Sequence, residues 1–104
     1  MRMVRHPLPE EIELTDVLHA LSDPIRLRIV RNLAASDEGR CCNGLSVGVS
    51  KSTLSHHLKV LREAGVTRTR MSGTQRLVSL REDDLEERLP GLLASVLGAA
   101  RTAA

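Results

Sequence analysis

The sequence contains no phenylalanine, tyrosine or tryptophan among its 104 residues. A core without aromatic rings has to be built from Leu, Val, Ile, Met and Ala, and small aliphatics in amphipathic repeats point to packed helices. The same absence removes base stacking as a way of holding single-stranded nucleic acid. Cysteine is confined to the adjacent pair Cys41 and Cys42. Sequence neighbours rarely close on each other, because disulfide geometry needs more separation, so both read as reduced thiols. No run is long and apolar enough to span a membrane, and Met1-Arg2-Met3-Val4-Arg5 lacks the apolar stretch of a signal peptide, so a cytoplasmic location is expected. A glycine-rich phosphate loop and a histidine–carboxylate relay are also missing, which speaks against an enzyme.

What is present fits one domain. A hydrophobic fraction of 41% supplies a single modest core, with no second domain expected. Net charge is only +2, yet it is unevenly placed. Between Ser50 and Arg81 the basic residues Lys51, Lys59, Arg62, Arg68, Arg70, Arg76 and Arg81 meet a single carboxylate, Glu63. The flanks are balanced or acidic, with Glu10, Glu11, Glu13 and Asp16 before and Glu82, Asp83, Asp84, Glu86 and Glu87 after. A basic block of this kind is the electrostatic footprint of a polyanion partner, and double-stranded DNA fits better than a single strand.

The chain divides into an N-terminal arm over residues 1–9, a domain over 10–97 and a flexible tail over 98–104. Pro7 and Pro9 forbid a regular helix in the arm. A first helix is expected over Glu10 to Leu21, with acidic residues at its positive end. Asp23-Pro24 caps and starts a second helix to about Ala35, with Ile25, Ile29, Val30 and Leu33 inward and Arg26, Arg28 and Arg31 at its margins. A short third helix is expected from about Arg40 to Ser46. A fourth runs from Ser50, which can cap its start, to Gly65, which can end it, with Leu54, Leu58 and Leu61 at helical spacing and Lys51, Ser52, Ser55, His56, Lys59 and Arg62 between them. His57, beside Leu54 and Leu58, reads as a buried hydrogen-bonding histidine. The alternating segments on either side of Ser72-Gly73-Thr74 form a β-hairpin wing. A last helix covers Glu82 to Leu97, with Pro90 as a kink or a new start. The fold is therefore mainly α with a small β-hairpin, a winged helix-turn-helix of order α-α-α-α-β-β-α.

Two of these segments carry a family pattern. Ala20-Leu21-Ser22-Asp23-Pro24-Ile25-Arg26-Leu27-Arg28-Ile29-Val30 resembles the second-helix signature of the ArsR/SmtB family of bacterial winged-helix regulators. Ser50 to Gly65 reads almost as that family's recognition-helix consensus. With the wing, the resemblance covers residues 12 to 97. It implies a homodimer joined through the first and last helices, bound to a pseudo-palindromic operator with the fourth helices in successive major grooves. The last helix agrees, because it holds more large aliphatics than so small a domain can bury alone. Ile12, Val17, Leu85, Leu89, Leu92, Leu93 and Val96 are the interface candidates. By position, Ser52, Thr53, Ser55 and His56 approach base edges, Lys51, Lys59, Arg62, Arg70 and Arg76 clamp phosphates, Thr74 and Gln75 occupy the wing tip, and Ser50 completes the DNA-binding set.

Family members commonly release DNA when a metal ion binds, so a transition-metal ion enters as a possible inducer. The arsenic-type pattern has Cys-x-Cys in the third helix, whereas this chain has Cys41-Cys42; the zinc-type pattern needs ligands on the last helix, and no His or Cys follows His57. What remains is a site joining Cys41 or Cys42 to His6, His19 and Asp16, the last two being three apart on one helix face. Thiol oxidation, regulation without a ligand and a winged helix that contacts protein instead of DNA are the alternatives.

Overall fold

The computed structural model describes residues 6–35, 40–41 and 48–103. Pro9–Glu11 makes one 3-10 turn, closed by the Leu8 N–H donating to Glu11 Oε1 at 2.7 Å. Helix α1 (Leu14–Leu21) starts later than the expected Glu10, because Ile12 and Glu13 are extended. That extension lets Ile12 drop into the core. Helix α2 (Pro24–Ala34) starts as expected: Asp23 Oδ2 accepts from the N–H groups of Ile25 at 2.8 Å and Arg26 at 3.1 Å, satisfying two free donors of the first turn. Val17, Ala20 and Leu21 of α1 pack with Ile29, Val30 and Leu33 of α2.

Strand β1 (Arg40–Cys41) replaces the start of the expected third helix. It pairs antiparallel with the wing, Arg40 opposite Val78 and Cys41 opposite Leu77. The rest of that expected helix lies outside the described residues. Helix α3 (Lys51–Glu63) follows, then strands β2 (Thr67–Ser72) and β3 (Gln75–Leu80). The sheet runs β1-β3-β2, with Ser72 opposite Gln75 across a two-residue turn. Gly73 sits there at φ +64, the first central position that needs glycine in a hairpin of this length.

The expected last helix divides into α4 (Glu82–Arg88) and α5 (Leu92–Ala103). Leu89 leaves helical geometry at φ −133, ψ 72, as the residue before a proline is pushed to do, and Gly91 turns the chain at φ +80. Helix α5 continues past residue 98 to Ala103, beyond the expected start of the tail. The interface expectation also changes at three positions. Ile12, Val17 and Leu85 fill the chain's own core at 1–3% exposure, because a core without aromatic rings needs these aliphatics to fill it. Leu89, Leu92, Leu93 and Val96 are only partly buried, and α1 instead exposes Leu14 and Leu18.

Candidate nucleic-acid interface

Helix α3 is fixed at both ends by local chemistry. Ser50, extended at φ −66 and ψ 163, accepts the Thr53 N–H on its Oγ at 3.3 Å and donates to Thr53 Oγ1 at 3.0 Å. Ser50 is thus engaged in the capping expected of it, and the same hydroxyl is the one counted among the DNA-binding residues. At the other end the Gly65 N–H donates to Arg62 O and the Val66 N–H to Leu61 O, both at 3.0 Å, with Gly65 at φ +88. These are the paired bonds of a Schellman stop. Glycine is required twice over, because a Cβ on Gly65 would lie 2.6 Å from Ile12 Cγ1.

Between these ends, Leu58 and Leu61 are buried and Leu54 and Val60 are half-buried against the core. Lys51, Ser52, Thr53, Ser55, His56 and Lys59 are all exposed. The helix therefore presents hydroxyls, an imidazole and two ammonium groups to solvent on a rigid support, the donor and acceptor set that base edges and phosphates require. His57 is turned inward, as its apolar neighbours implied, with its ring centroid 5.8 Å from that of exposed His56.

The hairpin adds a second basic element beside α3, against which β2 packs. Residues opposite one another across a ladder share a face. Thr67, Thr69 and Met71 therefore lie with Leu80, Val78 and Arg76, and Arg68, Arg70 and Ser72 with Ser79, Leu77 and Gln75. The first face is buried at Thr67 and Val78 and emerges at the tip, where Met71 is 61% exposed next to Arg76. Arg70 and Arg76 consequently stand on opposite sides of the wing, with exposed Thr74 and Gln75 between them at the tip. Met71 was not singled out in the sequence. Its alternation with Thr67 and Thr69, both on the packed face, is the signal that could have found it.

Three arginines of the basic block have other employment. Arg81 is buried, its Nε donating to Asp84 Oδ2 at 3.0 Å and its Nη1 to Pro7 O at 2.8 Å. Arg68 is exposed but pairs with the same Asp84 oxygen at 3.2 Å. Arg62 is half-buried, with a buried Nε that has no partner among the described residues, and its charge reaches His6. Arg62 is therefore less open than Lys51 and Lys59 on the same helix. His6 accepts the Thr69 N–H on Nε2 at 3.0 Å, covering part of the free edge of β2. Burial first, and then Arg81, Arg62 and Arg68, hold its pKa below the ordinary 6.5.

The metal candidates are not assembled by the described residues. His6 has its Nε2 engaged on the wing, while Asp16 and His19 are exposed on α1. Cys42 and the side chain of Cys41 lie outside the described residues. Among the described residues no group of three or more His, Cys, Asp or Glu side chains is placed to hold an ion. Nor is any described helix long and apolar enough to cross a membrane.

Residues 21–70, from the end of α1 to the middle of the wing, match the model of a helix-turn-helix domain family. A Bacillus subtilis protein, the uncharacterised HTH-type transcriptional regulator YceK, is 43% identical over 82 residues, spanning 77% of this chain and 82% of its own. The arsenical resistance operon repressor of Staphylococcus xylosus is 34% identical over 71% of each chain. The chain belongs to the ArsR/SmtB family. The crystal structure of the transcriptional repressor BigR from Xylella fastidiosa superposes with a TM-score of 0.68 at 29% identity, covering 86% of this chain and 84% of that one. This ArsR/SmtB protein is accordingly a DNA-binding transcriptional regulator with a winged helix-turn-helix fold and not an enzyme.

Proposed function

We propose that this ArsR/SmtB regulator is a homodimeric repressor that sets α3 of each protomer into successive major grooves of a pseudo-palindromic operator. The observation that carries this reading is the exposed face of Lys51, Ser52, Thr53, Ser55, His56 and Lys59 beside a wing with an arginine on each side. Ser52, Thr53, Ser55 and His56 supply the base-edge contacts. Lys51, Lys59, Arg70 and Arg76 neutralise phosphates, and Thr74 and Gln75 reach the backbone from the wing tip. Leu14 and Leu18, four apart on α1, join Leu89, Leu92, Leu93 and Val96 as the face that the second protomer covers.

Release follows from a metal or thiol-reactive signal at Cys41 and Cys42. Two features support this: the Staphylococcus xylosus relative is an arsenical resistance repressor, and the Cys41 backbone pairs with Leu77, whose other neighbour across the sheet is Arg70. The Cys41 backbone is therefore linked through β3 to the strand that carries a wing arginine. Because the described side chains form no ion site, His6, His19 and Asp16 need the cysteines to complete one.

The test is binding of the untagged chain to a duplex from upstream of its own gene across a salt series. Each phosphate contact steepens the dependence of log affinity on log salt by about 0.9. Affinity that falls steeply with salt and exceeds that for a scrambled duplex supports the reading. No retention of any such duplex at low salt overturns it in favour of a protein-contacting winged helix. Thiol titration and metal analysis of the same protein then separate oxidation from metal uptake. A Cys41→Ser, Cys42→Ser protein that still releases DNA on treatment with zinc, arsenite or peroxide rules out the cysteines as the sensor.

A further inference from the structure

Arg26 had been expected at the margin of α2, yet it is only 8% exposed. Its guanidinium joins three helices. Nε donates to Ala20 O at 2.6 Å and Nη2 to His19 O at 3.3 Å, both in the last turn of α1, where His19 O also accepts from the Ser22 N–H and hydroxyl. Nη1 lies 3.3 Å from Nδ1 of His57 on α3. Arginine has donors only, so His57 Nδ1 is the acceptor and its proton sits on Nε2. Asp23, which caps α2, stands 3.9 Å from the same Nδ1 and supplies the nearby negative charge.

A buried guanidinium is costly unless its donors are met, and its planar fork meets them in one arrangement only. At 3.3 Å the bond to His57 is near the limit of useful length, so a displacement of α3 by about 1 Å along it would break it. Base-edge hydrogen bonds demand positioning of the same order, and His56, the residue next to His57, is on the exposed face. We infer that Arg26 and His57 are positioning residues for operator recognition: they hold α3 at the angle that lets Ser52, Ser55 and His56 address base edges, without touching DNA themselves. The inference rests on the DNA-binding reading above and goes beyond it, because it assigns sequence discrimination to a buried joint between helices.

The experiment compares affinity for the upstream duplex and for a scrambled duplex, in wild type and four variants of the full chain, with thermal unfolding recorded for each. His57→Ala leaves a buried donor unmet and can unfold the domain, so the deciding pair is His57→Asn and His57→Gln. The Asn oxygen can occupy the place of Nδ1, whereas the Gln oxygen reaches further, to the place of Nε2. Expected is a loss of about tenfold or more in the ratio of specific to scrambled affinity for His57→Gln and Arg26→Lys, with His57→Asn within about threefold of wild type. Affinity for the scrambled duplex and the salt slope stay unchanged in every folded variant, because the phosphate contacts are intact. Equal ratios for Asn, Gln and wild type, or losses that merely track melting temperature, overturn the positioning role while leaving DNA binding in place. A wild type that does not distinguish the duplexes overturns both.

Discussion

Asp23 shows how much one carboxylate can carry in so small a domain. The Arg26 N–H foremost, then the Ile25 N–H, with the His57 imidazole and the Arg26 guanidinium close by, hold its pKa below the ordinary 3.8 despite some burial. A depressed acid contributes stability that is complete above its unfolded pKa and is lost as pH falls through the folded one. Melting temperature should therefore decline as pH drops below about 4, and Asp23→Ala should flatten that part of the decline while costing about 1–2 kcal/mol at neutral pH. An unchanged acid limb in the variant would contradict the capping role. Gly65→Ala should destabilise by about 1–3 kcal/mol in denaturant titration, since both its φ and the Ile12 side chain oppose a Cβ. The cap at Asp23, the stop at Gly65 and the inward turn of His57 were legible in the sequence, because capping chemistry and apolar spacing are local. Burial of Arg26 was not: its three acceptors lie 6, 7 and 31 residues away, and only the folded chain brings them together.

At the scale of elements, α2, α3 and the wing were readable from apolar period and turn residues. Two of the departures share one physical cause. Ile12 and Glu13 interrupt a good helical pattern because Ile12 must reach under Gly65, and Arg40–Cys41 become a strand because β3 offers a free edge. Both are tertiary demands that override local preference. For the recognition face, sequence spacing located the exposed residues, but a helical repeat alone cannot reveal that Arg62, counted among the phosphate clamps, is half-buried with its Nε inside. The wing gives the sharper test. Arg70→Ala and Arg76→Ala should each lower the salt slope by about one contact and weaken specific and scrambled duplexes alike. Arg62→Ala should leave the slope unaltered. A slope that falls for Arg62 and not for the wing residues would place the phosphate contacts elsewhere.

For the whole molecule, the sequence anticipated a dimer but chose three interface residues that the core had already claimed. Exposure separates the two groups. Leu14 at 46% and Leu18 at 45% lie open on α1, so Leu14→Glu with Leu18→Glu should yield a folded monomer in sedimentation equilibrium, while Ile12→Ala should lower stability without a selective effect on association. A double variant that remains dimeric would move the interface off α1. The central claim, that two copies of α3 read the major groove, is most directly tested by guanine-N7 methylation interference on the protein's own upstream duplex. Two interfering segments about one helical turn apart, each in the major groove, are predicted. Binding unaffected by methylation at every guanine of a G-containing site, or interference confined to a single segment, would contradict it.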